Sequence, residues 1–190
     1  MRTVEFSDIK NIAEYEMERE HWRPLVIALK DRRRIRVGGH MTFLFENRDT
    51  VRYQIQEMLR IERIVKRADI QHELDTYNEL IPGSDQLSAT LLIEYVSPGE
   101  RDVRLRELLG LEGHVWLEVN GVPPRVPAIF DTRQIATDRL SSVQYVKFSL
   151  SPEQVRSWRQ GATLIVDHPS YQAEHALTAE ELEEVAQDFE

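Results

Sequence analysis

Between Val51 and Val65 the apolar residues Val51, Ile55, Met58, Leu59 and Val65 recur three and four positions apart, the spacing of one helix face. The pattern predicts an amphipathic helix over residues 50–66 with Asp49 as its N-cap. IQHELDTYNEL repeats it with Ile70, Leu74, Tyr77 and Leu80 or Ile81, capped by Asp69 and ended by Pro82 and Gly83. Upstream, Asp8 is placed to cap a short helix reaching Arg19, and Pro24 to open a second one, LVIALKDRR. The segments IRV and MTFLFE flank Gly38 and Gly39 as two strands about a tight turn.

From Leu87 the period changes from helical to alternating. LSATLLIEY, HVWLEV, RVPAIF, VQYVKFSL, TLIVDH and YQAEHAL read as strands, with NGVPP joining the second and third as a hairpin. ERDVRLRELLG reads as a short helix closed by Gly110. Ser151 to Gln154 and Thr178 to Glu181 each form a capping box that opens a helix. Helices followed by strands predict one α+β domain over residues 1–190, N-terminal helices packed with a largely antiparallel β-sheet. Its helix-rich part covers 1–83, its strand-rich part 84–177 and its acidic C-terminal helix 178–190.

Composition narrows the chemistry. No cysteine is present, which removes disulfides, thiolate zinc sites, cysteine nucleophiles and cysteine-held iron–sulfur clusters from this chain. The net charge of −9 is concentrated at one end, since residues 160–190 hold eight acids and no Lys or Arg. That end is unsuited to nucleic acid or an anionic membrane. The one basic cluster, KDRRRIR at residues 30–36, follows the apolar run LVIAL and reads as a solvated helix end rather than an anion site. Nucleic acid is an unfavoured partner, because the cluster is short and lacks interleaved aromatics. No apolar run reaches the roughly 20 residues of a membrane helix, and MRTVEFSDIKN has no apolar leader core, so a cytoplasmic location is expected.

Glycine-rich phosphate loops and a Gly-x-Ser-x-Gly elbow are absent. The chain's polar density instead falls where strand meets helix. Glu46, Asn47 and Arg48 stand at that junction, and Gln54, Glu57, Arg60 and Glu62 follow along the helix. A carboxylate left unpaired in a core is costly, so these residues read first as an ion-pair network, and together they form a candidate binding surface (Glu46, Asn47, Arg48, Gln54, Glu57, Arg60). A second arrangement draws His40 and His72 towards Glu46, Glu57 and Glu62 to hold iron, manganese or zinc. The Glu-x-x-His pairs of di-iron bundles are missing, and a surface position is the favoured reading of both histidines. His168 in DHPSY reads as a turn exit, and His114 as packed or functional alike.

The segments GGHMTFLFENRDTVRYQIQEMLRIERI, HELDTYNELIPG, LSATLLIEY and SSVQYVKF, with FENRDT, QIQEM and YNELIP the most specific parts, carry a resemblance spanning Tyr15 to Tyr171. The chain resembles a bacterial domain-of-unknown-function family whose genes often lie beside those of a rubrerythrin and an iron–sulfur oxidoreductase of the heterodisulfide-reductase type. The resemblance implies a redox or oxidative-stress context, with electron carriers in other chains and no intrinsic cofactor here. Two functions are therefore expected: an accessory module that docks such an iron protein, or a metal-binding protein or metal-dependent enzyme using the His and carboxylate set.

Overall fold

The computed structural model describes residues 2–134 and 138–189. Among the described residues nine strands form two antiparallel sheets. The five-stranded sheet has the order β1 (Arg34–Val37), β2 (Met41–Phe45), β3 (Gln86–Ile93), β7 (Val143–Ser149) and β6 (Ile129–Phe130). The four-stranded sheet has the order β5 (Val122–Pro127), β4 (Val115–Val119), β8 (Ala162–His168) and β9 (Tyr171–Ala176). The α+β class follows the sequence, but the strands divide between two stacked sheets instead of forming one.

Alternation along the strands explains the stacking. Phe43 and Phe45 of β2, and Leu87, Ala89 and Leu91 of β3, meet Val115, Leu117, Leu164 and Val166 of the opposite sheet in one buried cluster. The other face of the five-stranded sheet is covered by α2 (Arg48–Ile61) and α3 (Arg67–Asn78). Val51, Ile55, Leu59, Leu74 and Ile81 form a second, smaller core there, with Tyr145 of β7 packed against it. Because the helices cover only one face, the protein has three layers and two cores.

Several boundaries differ from the sequence reading: RVPAIF, read as one strand, is shared between β5 and β6 of different sheets, and β5 begins at Val122 inside NGVPP. One 21-residue helix, α1 (Ile12–Arg32), replaces the two expected, with Pro24 inside it. Asn11 caps it through the Glu14 amide, while Asp8 lies in a preceding 3-10 turn and binds Arg2. Proline removes one helical donor and strains its turn, yet the chain on either side remains helical. Helix α2 is capped by Asn47, not Asp49, and stops at Ile61. Arg63 takes a left-handed conformation (φ 55°) and Ile64 N–H returns to the Leu59 carbonyl at 2.9 Å, a Schellman closure. Val65 is thereby outside the helix and 72% exposed. Helix α3 starts at Arg67, so Asp69 lies in its first turn and is not its cap.

The remaining helices close the ends of the sandwich. Helix α4 (Pro98–Glu107) contributes Leu105, and α5 (Pro152–Ser157) and α6 (Ala179–Ala186) open with the capping boxes read from sequence. Leu182, Val185 and Ala186 of α6 enter the main core, and the buried Trp158 indole donates to the Leu182 carbonyl at 2.9 Å. The acidic C-terminal segment is thus a plug rather than a tail. Among the described residues no helix is long and apolar enough to cross a membrane.

Candidate functional site

Glu46 directly follows β2 and is 6% exposed. Its carboxylate accepts the Thr50 hydroxyl at 2.5 Å and the Thr90 hydroxyl at 2.6 Å. Beside it, burial holds the Lys30 ammonium below its usual range, while the Glu46 charge opposes that shift. The Lys30 ammonium also sits 5.6 Å from the Tyr53 ring centroid.

Helix α1 runs antiparallel to α2 along a polar seam. Glu57 accepts the Tyr15 hydroxyl at 2.7 Å and is held bidentately by Arg19 at 2.7 and 2.9 Å. Arg19 pulls the Glu57 carboxyl below the ordinary range against the effect of burial. Burial, reinforced by Glu57, pushes the Tyr15 phenol up. One turn on, Arg60 binds Glu16 at 2.7 Å, and at the start of α2 Arg48 binds Asp8 at 2.6 Å. Asn47 spends its side chain on the Asp49 and Thr50 amides as the cap. Tyr77 of α3 lies beside Gln54 of α2, and burial pushes its phenol up.

The six candidate binding residues do not form one surface: Glu46 is held against the sheet, Asn47 and Arg48 stand at the start of α2, Gln54 is beside Tyr77 of α3, and Glu57 and Arg60 pair with α1. Glu57→Gln is expected to cost about 1.5–3 kcal/mol, the range for a charge-assisted hydrogen bond, read as a lower urea midpoint at pH 7. Its sign with pH follows from the depressed native pKa: the Glu57 contribution is present at neutral pH and disappears as pH falls through that value. The variant and wild type should converge in acid; a constant difference would contradict the assignment.

The metal set does not converge. His40 stacks on Tyr95 (4.2 Å between centroids) with Nδ1 3.1 Å from the Glu94 carbonyl, at the β1–β2 turn. Its backbone amide donates to the Tyr171 hydroxyl at 3.1 Å. Gly38 in the same turn has φ 70°, and a Cβ there would lie 2.5 Å from that hydroxyl, so the close approach needs glycine. Glu62 and His72 are exposed at the end of α2 and on α3. Among the described residues no three His, Cys, Asp or Glu side chains are placed to hold a metal ion. His168 is buried with both ring nitrogens used, one against the Leu109 carbonyl and the other accepting the Ser170 amide, each at 3.1 Å.

Sequence reasoning missed the most buried charges. The basic cluster is not a single solvated helix end. Arg33 is fully buried, its Nε donating to the Phe45 carbonyl at 2.8 Å and its guanidinium binding Asp188 and, at 3.4 Å, Glu184. Arg32 pairs with Glu184 and Arg34 with Asp31. The missed signal was parity: Arg33, Ile35 and Val37 alternate with exposed Arg34 and Arg36.

Two clefts open on the helical side. One, of about 480 Å³, lies between α3 and strands β6 and β7, with Tyr77, Leu80, Phe130 and Tyr145 in its walls and Arg133 and Lys147 among its polar groups. Arg133 is neutralised by Glu79 and Asp131, whereas Lys147 has no ion-pair or hydrogen-bond partner through its side chain among the described residues. The other, about 230 Å³, separates Trp22, Leu25 and Val26 of α1 from Arg52, Tyr53 and Gln56 of α2.

Fold and site define a three-layer α+β protein with an internally satisfied charge network and open clefts beside it. The chain belongs to the family described as protein of unknown function (DUF3501), whose profile matches residues 3–189. It is similar to a crystal structure described as a novel protein of unknown function from Burkholderia pseudomallei K96243. The two share 32% identity and a TM-score of 0.93, with 100% of each chain covered. No curated protein matches the chain.

Proposed function

We propose that this protein is a binding module of a bacterial redox or oxidative-stress system, acting without chemistry of its own on an iron-containing partner. The observation that carries the reading is the contrast between its sites. Candidate acid–base groups are consumed internally, Glu46 by two threonines and Glu57 by Arg19 and Tyr15. The α3–β7 cleft keeps apolar walls and the Lys147 ammonium, which has no partner among the described residues, the combination that seats an apolar side chain beside an acidic one. The iron partner, a rubrerythrin or an iron–sulfur oxidoreductase, comes from the family resemblance.

Tagged protein recovered from its own cells at low salt tests the proposal. The expected result is an iron protein in the eluate, lost with Lys147→Glu, while the free chain carries well below one equivalent of iron, manganese or zinc. Recovery of no iron protein with the wild type would overturn the reading. Stoichiometric metal on the free chain would return the role to the carboxylate and histidine residues.

A further inference from the structure

The helical layer stops short of one edge of the five-stranded sheet. Alternation along β7 sends Val146 and Phe148 to the main core and Tyr145 and Lys147 to the helix-covered face. Ile129 of the edge strand β6 stands opposite Lys147 in register, so it shares that face. The helices pack on Tyr145 but leave Lys147 half-buried and Ile129 53% exposed. With Tyr77 and Leu80 of α3, these side chains border the cleft of about 480 Å³. Small-molecule sites span roughly 300–1,000 Å³, and this cleft falls among them.

The charges in the cleft differ in what they already hold. Glu79 and Asp131 both bind the Arg133 guanidinium, with Glu79 and Arg133 more than half exposed at the solvent side. Asp131 follows Ile129 by two positions on β6 and is therefore only the diagonal neighbour of Lys147, roughly 7–8 Å away. Among the described residues no ion pair or hydrogen bond engages the Lys147 ammonium. An ammonium set among apolar side chains without an acceptor is the group that a bound anion satisfies. Arg133 neutralises only one of its two acids, so the Asp131 end of the cleft repels a second negative charge on any ligand. A monocarboxylate anchored at Lys147 avoids that repulsion, whereas a phosphate dianion meets it. The rings of Tyr77 and Tyr145 give flat apolar walls, against which an aromatic body packs best.

We propose that this cleft also binds a free aromatic monocarboxylate, its carboxylate on Lys147 and its ring system against Tyr77 and Tyr145. The chemistry is that of the partner's apolar and acidic pair, so the free acid competes with the partner. In that respect the inference rests on the function proposed above.

Sodium 2-naphthoate is the probe, titrated into the full chain by calorimetry, with 2-naphthylmethanol as its uncharged counterpart. One site per chain is expected for the naphthoate. Affinity is expected to fall about tenfold or more for the alcohol and for Lys147→Met, the loss of a charge-assisted hydrogen bond. Lys66→Met, at the opposite end of α3, is expected to bind as the wild type does, and the circular dichroism spectra should coincide. Saturating naphthoate should also release the iron protein from the tagged chain. No naphthoate binding up to its solubility limit would overturn the proposal, as would equal affinity for the alcohol or an undiminished Lys147→Met. Capture of an iron protein without naphthoate binding would sink this inference alone. Lys147-dependent naphthoate binding with no iron protein captured would support the ligand site and sink the function above.

Discussion

Arg33→Met is expected to destabilise the protein by about 3–5 kcal/mol at pH 7, the cost of removing one partner from a buried ion pair. The guanidinium is fully buried and binds Asp188, Glu184 and the Phe45 carbonyl. Without it, Asp188, itself 3% exposed, faces Glu184 with no cation of its own. The C-terminal plug is held to the start of β1 through this contact, so the loss should appear first as detachment of α6. Protease cleavage after Arg159 would report that detachment. The reciprocal change supplies the control: Arg33→Met with Asp188→Leu removes both charges together and should recover most of the loss in a urea titration. A loss below about 1 kcal/mol in the single variant would show that the pair does not anchor the plug.

Asp188 should also give the protein an inverted acid response. Burial pushes its carboxyl up to about 6, Arg33 opposes that shift, and Glu184 and Glu46 add to it. Between the unfolded value near 4 and the native value, the folded state binds more protons than the unfolded one. The Asp188 contribution is therefore fully present below about pH 4 and lost as pH rises through 6. A shift of about two units corresponds to about 3 kcal/mol. The stability of wild type minus that of Asp188→Asn is expected to fall by this amount from pH 4 to pH 7. Groups such as Glu57 and Asp8, whose pKa values are depressed, act in the opposite direction but cancel in the difference. A difference independent of pH would remove Asp188 from this role. Protonation of Asp188 also means that the cost of Arg33→Met should shrink towards pH 5.

Much of the fold was readable because local rules decide it. The capping boxes at Ser151 and Thr178 form as the residue types require, and the strands alternate where the sequence alternates. The α1 boundary was misread because Asp8 and Pro24 are good helix signals locally, and only the surrounding helix shows that Pro24 is tolerated inside it. For the site, the polar density from Glu46 to Arg60 was visible, as was the possibility that it binds itself. Its partners were not, since Tyr15 and Arg19 lie about 40 residues from Glu57 in sequence, and Thr90 lies 44 from Glu46.

By itself, then, the sequence determined most of the elements, their hydrophobic faces and the absence of cysteine chemistry. These depend on period, turn residues and composition, all of which act within a few positions. Tertiary structure alone decided that the strands form two sheets, that Glu46, Glu57 and Arg33 are neutralised from distant segments, and that His40 and His72 stay apart. Burial and charge pairing are set by which faces meet across the core. That choice is made by the whole chain, and apart from the parity that marks Arg33 for burial it does not show which distant positions it brings together.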